Sequence, residues 1–124
     1  LEAQLKSIPL VGQAAVIGDN RPYLIALLVL DPDRTPAWAA ANGIEGKSLA
    51  ELATDPAVLA EVDRGVAAAN EHFNHAEQVK KWAVIGEEWL PDSAQLTATM
   101  KLKRRGVLRA YGDLIDALYG DHAG

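Results

Sequence analysis

Five of the chain's twelve lysines and arginines, Lys101, Lys103, Arg104, Arg105 and Arg109, fall within nine positions. They follow a Thr-x-Thr stretch, Thr97 to Thr99, whose β-branched hydroxyl residues favour extended backbone, and they lead into an amphipathic helix. Cations at a helix start oppose the macrodipole, at a cost of about a few tenths of a kcal/mol each. Local helix stability therefore does not account for them, whereas an anionic ligand or a carboxylate partner does; a solvated basic patch is the plainer alternative. His72 and His75, with Glu71 and Glu77 nearby, have a spacing that two metal ligands could use, but the pattern offers no third ligand and no metal site is expected. His122 lies in the tail and receives no role. There is no Gly-rich phosphate loop, no serine or cysteine nucleophile motif, and no carboxylate pair with an acid–base task. Taken alone, these residues do not specify an enzyme.

The elements that must position them belong to a chain of 124 residues, enough for one small domain and too few for two. With no cysteine, disulfides and thiolate chemistry are excluded. A net charge of −5 argues against general nucleic-acid binding, which rests on neutralising many phosphates. No run of about 18 apolar residues could span a membrane, and the first residues carry no secretory pattern. A cytoplasmic location is expected, with peripheral membrane contact left open. The chain opens on Leu1, already helical in pattern, and reads as a piece of a longer protein.

Leu1, Leu5 and Ile8 mark one face of a short helix ended by Pro9. Val11 to Ile17 and Tyr23 to Leu30 are strand-like runs separated by the turn formers Gly18, Asp19, Asn20, Arg21 and Pro22, which predicts a hairpin. The second run is apolar without alternation, as in a central strand covered on both faces. Thr35 with Pro36 predicts a helix start, Ala41 its end and Gly43 its stop. Ser48 and Glu51 have capping-box spacing. Asp55-Pro56 opens the longest helix, with Val58, Leu59, Val62, Val66, Ala69, Phe73 and Ala76 on its apolar stripe and the two histidines within it. Trp82 to Ile85 is a third strand. One last helix is expected from Lys103 to Tyr119, with Val107, Leu108, Tyr111, Leu114, Ile115 and Leu118 on one side and Gly120 as its stop. The sum is an α+β domain: a short, mainly antiparallel sheet packed by helices and closed by an amphipathic helix.

Two segments carry a resemblance. LTATMKLKRR, Leu96 to Arg105, with the closing stretch Asp113 to Tyr119, resembles the C-terminal end of long-chain acyl-CoA synthetases of the adenylate-forming superfamily. PLVGQAAVIGDNRPYLIALLVLD, Pro9 to Asp31, resembles the segment after the interdomain hinge of those enzymes. The resemblance covers essentially the whole chain and implies that residues 1–124 are their small mobile C-terminal domain, with the large N-terminal domain and hinge lying before Leu1. It places the family's universal lysine at Lys101. Where other branches have glycine before that lysine, Met100 stands here, and Ala98 stands where the family pattern has proline.

The resemblance implies an AMP-forming fatty-acid–CoA ligase. Fatty acid and ATP give acyl-adenylate and pyrophosphate, then CoA displaces AMP. Lys101 would be the catalytic cation of the first step, and its loss should cost roughly 10²–10³ in rate. Lys103 and Arg104 are secondary candidates for phosphate or CoA contacts, with Arg105 and Arg109 behind them. ATP, CoA and Mg2+ would serve the full-length enzyme, none bound by this domain alone, and its partner would be its own N-terminal domain. The isolated piece should be inactive. The alternatives are a related enzyme that passes acyl groups to a carrier protein, and a non-catalytic anion-binding or interaction domain.

Overall fold

A computed structural model describes residues 1–18 and 21–120. Asp19 and Asn20 of the expected hairpin turn, and His122, lie outside the described residues. The chain groups into two compact units, Leu1–Glu88 and Trp89–Gly124.

The first unit holds a three-stranded sheet in the order β1-β2-β3, with β1 Val11–Ile17, β2 Leu24–Leu30 and β3 Val79–Ile85. The hairpin is as expected: β1 runs antiparallel to β2, Val11 opposite Leu30 and Ile17 opposite Ile25, with an irregularity between Val11 and Gln13. β2 is central and buried from Ile25 through Leu30. β3 begins three residues before the expected strand and pairs parallel to β2, Ala26 opposite Trp82 and Leu28 opposite Val84, so the sheet is mixed. Parallel pairing needs a long crossover. The helices α2 Arg34–Ala41, α3 Leu49–Leu52 and α4 Pro56–Asn70 supply it, after α1 Glu2–Lys6 has opened the chain. Leu5, Ile8 and Leu10 join Val58, Val62 and Val66 of α4 and Ala26, Leu28 and Leu30 of β2 in one apolar core.

Local chemistry places most helix ends where the sequence puts them. Ser48 and Glu51 form a reciprocal capping box on α3, and the Asp55 carboxylate accepts from Ala57 N–H at 2.8 Å ahead of Pro56. Gly43, in the left-handed region at φ 76°, closes α2. Ile44 N–H bonds to Ala39 O and Gly43 N–H to Ala40 O, which makes a Schellman ending. The start of α2 differs from expectation. Asp31 Oδ1 accepts from both Asp33 and Arg34 N–H, at 2.9 and 2.7 Å, so the helix begins at Arg34 and Thr35 lies inside it. Thr35 is buried, and its hydroxyl donates to Leu10 O at 3.0 Å rather than capping. Pro36 still falls in the first turn, where a missing N–H costs nothing.

The long helix is shorter than its apolar stripe. α4 stops at Asn70 because that side chain pairs with Val79, donating to its carbonyl at 3.0 Å and accepting its N–H at 2.9 Å. Gln78 Nε2 donates to the carbonyls of Asn70 and Phe73 and so satisfies the helix end. Phe73 and Ala76 therefore lie beyond the helix. His72 follows α4 and His75 opens a 3-10 turn, both exposed, so the two histidines do not share a helix face. Lys80 donates to His75 O at 2.8 Å. Among the described residues no group of three or more His, Cys, Asp or Glu could hold a metal ion, and no helix is long and apolar enough to cross a membrane.

In the second unit the expected closing helix is two: α5 Arg104–Ala110 and α6 Gly112–Gly120. Tyr111 interrupts it at φ −118°, ψ 23°. Its phenol oxygen accepts from the Trp89 indole N–H at 2.8 Å, with the ring centroids 5.7 Å apart. The next residue, Gly112, is a weak helix former. The break shifts the apolar phase. Val107, Ile115 and Tyr119 are buried, as are Trp89 and Leu96, whereas Leu108 is 46% exposed and does not join the stripe assigned to it.

Candidate functional site

The Thr-x-Thr stretch does not form a long strand. It forms a small hairpin held by one antiparallel bridge, Leu96 to Leu102, flanked by a Lys103 N–H bond to Gln95 O at 2.7 Å. Leu96 is buried and anchors this hairpin. Residues 97–101 make its tip. Thr97 N–H donates to Lys101 O at 2.8 Å, Met100 N–H to Thr97 O at 3.0 Å, and Lys101 N–H to Thr97 Oγ1 at 3.0 Å. Met100 takes a φ of 67°. That is the left-handed region, which L residues rarely occupy. Glycine adopts this backbone freely, whereas a residue with a Cβ does so at a steric cost.

Lys101 stands exposed on this tip, and among the described residues its ammonium has no hydrogen bond or ion pair. Lys103 is the N-cap residue of α5, and its ammonium donates to Ser93 O at 2.9 Å, so part of its donor capacity is spent inside the unit. Arg104, the first residue of α5, is exposed and also interacts within the chain. The structure brings Lys103, Arg104, Arg105 and Arg109 to one open depression that Ala94 and Gly106 also line. Lys101 does not line it. The basic cluster thus divides into a lone ammonium on a hairpin tip and a guanidinium-rich hollow along α5. Gly106 permits the hollow's shape, because a Cβ there would overlap the Ala94 carbonyl oxygen.

Sequence reasoning did not find the hydrogen bonding of Thr97, the left-handed Met100 or the Trp89–Tyr111 bond. For Met100 no signal existed, since methionine does not announce a left-handed backbone. For Trp89 and Tyr111 none did, since the partners are 22 residues apart.

An α+β unit with a mixed sheet is followed by a unit in which a hairpin exposes a lysine ahead of two short helices. The chain belongs to the family of AMP-binding enzyme C-terminal domains, whose model matches residues 1–123. It is 39% identical over 120 residues to the long-chain-fatty-acid–CoA ligase FadD15 of Mycobacterium tuberculosis, covering 96% of this chain and 20% of that protein. It is 31% identical over 112 residues to the peroxisomal long chain acyl-CoA synthetase 6 of Arabidopsis thaliana, covering 88% of this chain and 16% of that one. The fold matches the A-PCP didomain of the carboxylic acid reductase from Segniliparus rugosus, solved with AMP, with a TM-score of 0.70 at 24% identity, over 98% of this chain and 16% of that one. The chain thus spans about a fifth of the length of the curated relatives it matches.

Proposed function

We propose that this chain is the small, mobile C-terminal domain of an AMP-forming long-chain fatty-acid–CoA ligase, and that Lys101 is its catalytic cation. The observation that carries the reading is the exposed ammonium of Lys101 on a closed hairpin tip, with no partner among the described residues. A carboxylate attacking the α-phosphorus of ATP brings anion to anion, and charge grows on the phosphoryl oxygens in the transition state. A compact ammonium on a four-carbon stem can be carried to those oxygens from a separate domain. Lys103 and Arg104 serve as secondary contacts for phosphate or CoA, from the hollow along α5.

CoA rather than a carrier protein is the acceptor in this reading, because the curated relatives named above are CoA ligases, whereas the likeness to the carboxylic acid reductase is one of fold. ATP and the fatty acid are bound by the rest of the protein. Magnesium accompanies ATP, and in this reading its ligands belong to the rest of the protein too.

The test is single-turnover kinetics of each half-reaction in the full-length protein carrying Lys101→Ala. Acyl-adenylate formation should fall by roughly 10²–10³. Acyl-CoA formation from supplied acyl-adenylate should stay near wild type, because the domain swings Lys101 away for that step. An unchanged first step would remove Lys101 from the mechanism, and equal loss in both steps would mean damaged folding or docking.

A further inference from the structure

Both backbone polar groups of Lys101 end on one residue. Thr97 Oγ1 accepts the Lys101 N–H at 3.0 Å, and Thr97 N–H donates to the Lys101 carbonyl at 2.8 Å. The Thr97 carbonyl is shared as well, accepting Met100 N–H at 3.0 Å and Asp92 N–H at 3.2 Å, so the tip is tied to the turn before it. The Thr97 and Thr99 hydroxyls lie 3.2 Å apart, which gives the Thr97 hydroxyl a second partner and fixes its rotamer. A tip closed this way turns through one left-handed residue. That residue is Met100, immediately before the lysine.

A long, flexible side chain can be aimed only as well as its own backbone is held. The exposed Lys101 side chain has no partner among the described residues to orient it, so its direction is set where the backbone is clamped. A polar bond at an exposed tip adds little to global stability, since water can replace it. Its effect is instead on geometry, where a displacement of about 1 Å at a reacting group is worth up to roughly a hundredfold in rate.

We propose that Thr97 is the positioning residue of Lys101: through its hydroxyl it fixes the lysine's backbone and thereby the place the ammonium reaches during adenylation. The proposal rests on Lys101 acting in that step. Thr97 itself touches no substrate. A threonine is suited to the role because its methyl and hydroxyl leave few χ1 rotamers, and one of them serves the Lys101 N–H.

The experiment compares Thr97→Val, which keeps the branched shape and removes the acceptor, with Thr97→Ser, which keeps the acceptor. Both are made in the full-length protein, alone and together with Lys101→Ala. Thr97→Val should lower the adenylation kcat on the order of tenfold with KM for ATP and fatty acid near wild type. Thr97→Ser should restore most of the rate. In the Lys101→Ala background Thr97→Val should cost nothing further, because a residue acting only through the lysine has nothing left to position. A normal rate for Thr97→Val beside an impaired Lys101→Ala overturns the positioning role alone, and so does a Thr97→Val loss that persists undiminished without the lysine. A normal adenylation rate for Lys101→Ala overturns the reading of the lysine, and this proposal with it.

Discussion

Met100 sits where side chains are least welcome. A left-handed backbone costs an L residue roughly 1–2 kcal/mol. At 43% exposure Met100 buries too little to offset much of that cost. A β-branched residue would fare worse, because two heavy atoms on Cβ crowd the following carbonyl. Met100→Val should therefore lower stability by about 1 kcal/mol relative to wild type, while Met100→Gly should match or slightly exceed it, relief of strain being set against glycine's larger unfolded entropy. Urea unfolding of the three proteins checks the order, and a more stable valine variant would show that the tip does not hold this backbone. Asp55 makes a second residue-scale prediction. It is only 6% exposed, and the hydrogen bond from Lys47, whose ammonium lies 2.6 Å away, together with the Ala57 N–H, holds its carboxyl below the usual range. A carboxyl lowered in the folded state stabilises fully above its unfolded pKa of about 3.9 and loses that contribution as pH falls through its folded value. Asp55→Asn should accordingly lower stability at pH 7 and narrow its gap to wild type below about pH 4, read by thermal melts across that window.

At the scale of elements, the structure depends on close approaches that side-chain patterns do not announce. Gly106 in α5 leaves room for the Ala94 carbonyl, a backbone atom that cannot swing aside. Gly106→Ala gains about 1 kcal/mol in helix propensity and loses more to overlap, so the net should be a destabilisation of roughly 1–3 kcal/mol. Chemical denaturation decides the sign, and a stabilised variant would mean that α5 does not pack on the 93–95 turn. The β1–β2 strands and the caps of α3 and α4 were legible in the sequence because they are local: β-branched runs, a Ser48/Glu51 box, and proline after Asp55, whereas the cap assigned to Thr35 was not one. The ends of α4 and α5 were not. Asn70 stops a helix whose apolar spacing continues, through hydrogen bonds to Val79, and Tyr111 breaks another through an indole far along the chain. The parallel sense of β3 was equally hidden, since a strand's composition does not state its direction and only the crossover through α2, α3 and α4 does. Of the candidate site, Lys101 was proposed from the resemblance and the basic cluster was visible in composition, whereas the hydrogen bonds between Thr97 and Lys101 needed three dimensions.

For the whole molecule, charge is divided as the units are. Leu1–Glu88 carries seven cationic against thirteen acidic residues, and Trp89–Gly124 carries five against four, so the first unit is net acidic and the second, which bears Lys101, carries a slight cationic excess. Exposed cations in water are a weak binding device by themselves. Salt screens them beyond about 8 Å at physiological ionic strength, and a lone ammonium facing solvent offers a phosphate little that a hydrated cation does not. The reading of this chain as one domain of a ligase therefore carries a prediction about the chain alone. With the core described around β2 and α4 it should fold, giving a cooperative thermal transition, yet release no pyrophosphate from ATP and fatty acid and form no acyl-CoA. Titration with ATP should move the amide resonances of residues 97–105 weakly, without saturating below the millimolar range. Measurable turnover from residues 1–124 would place the reacting groups within this chain and overturn the assignment of Lys101 as a cation delivered to a site elsewhere. Tight, saturable ATP binding without turnover would instead favour an anion-binding domain whose site is the hollow along α5. Arg105→Ala with Arg109→Ala would then abolish that binding, while Lys101→Ala would leave it intact.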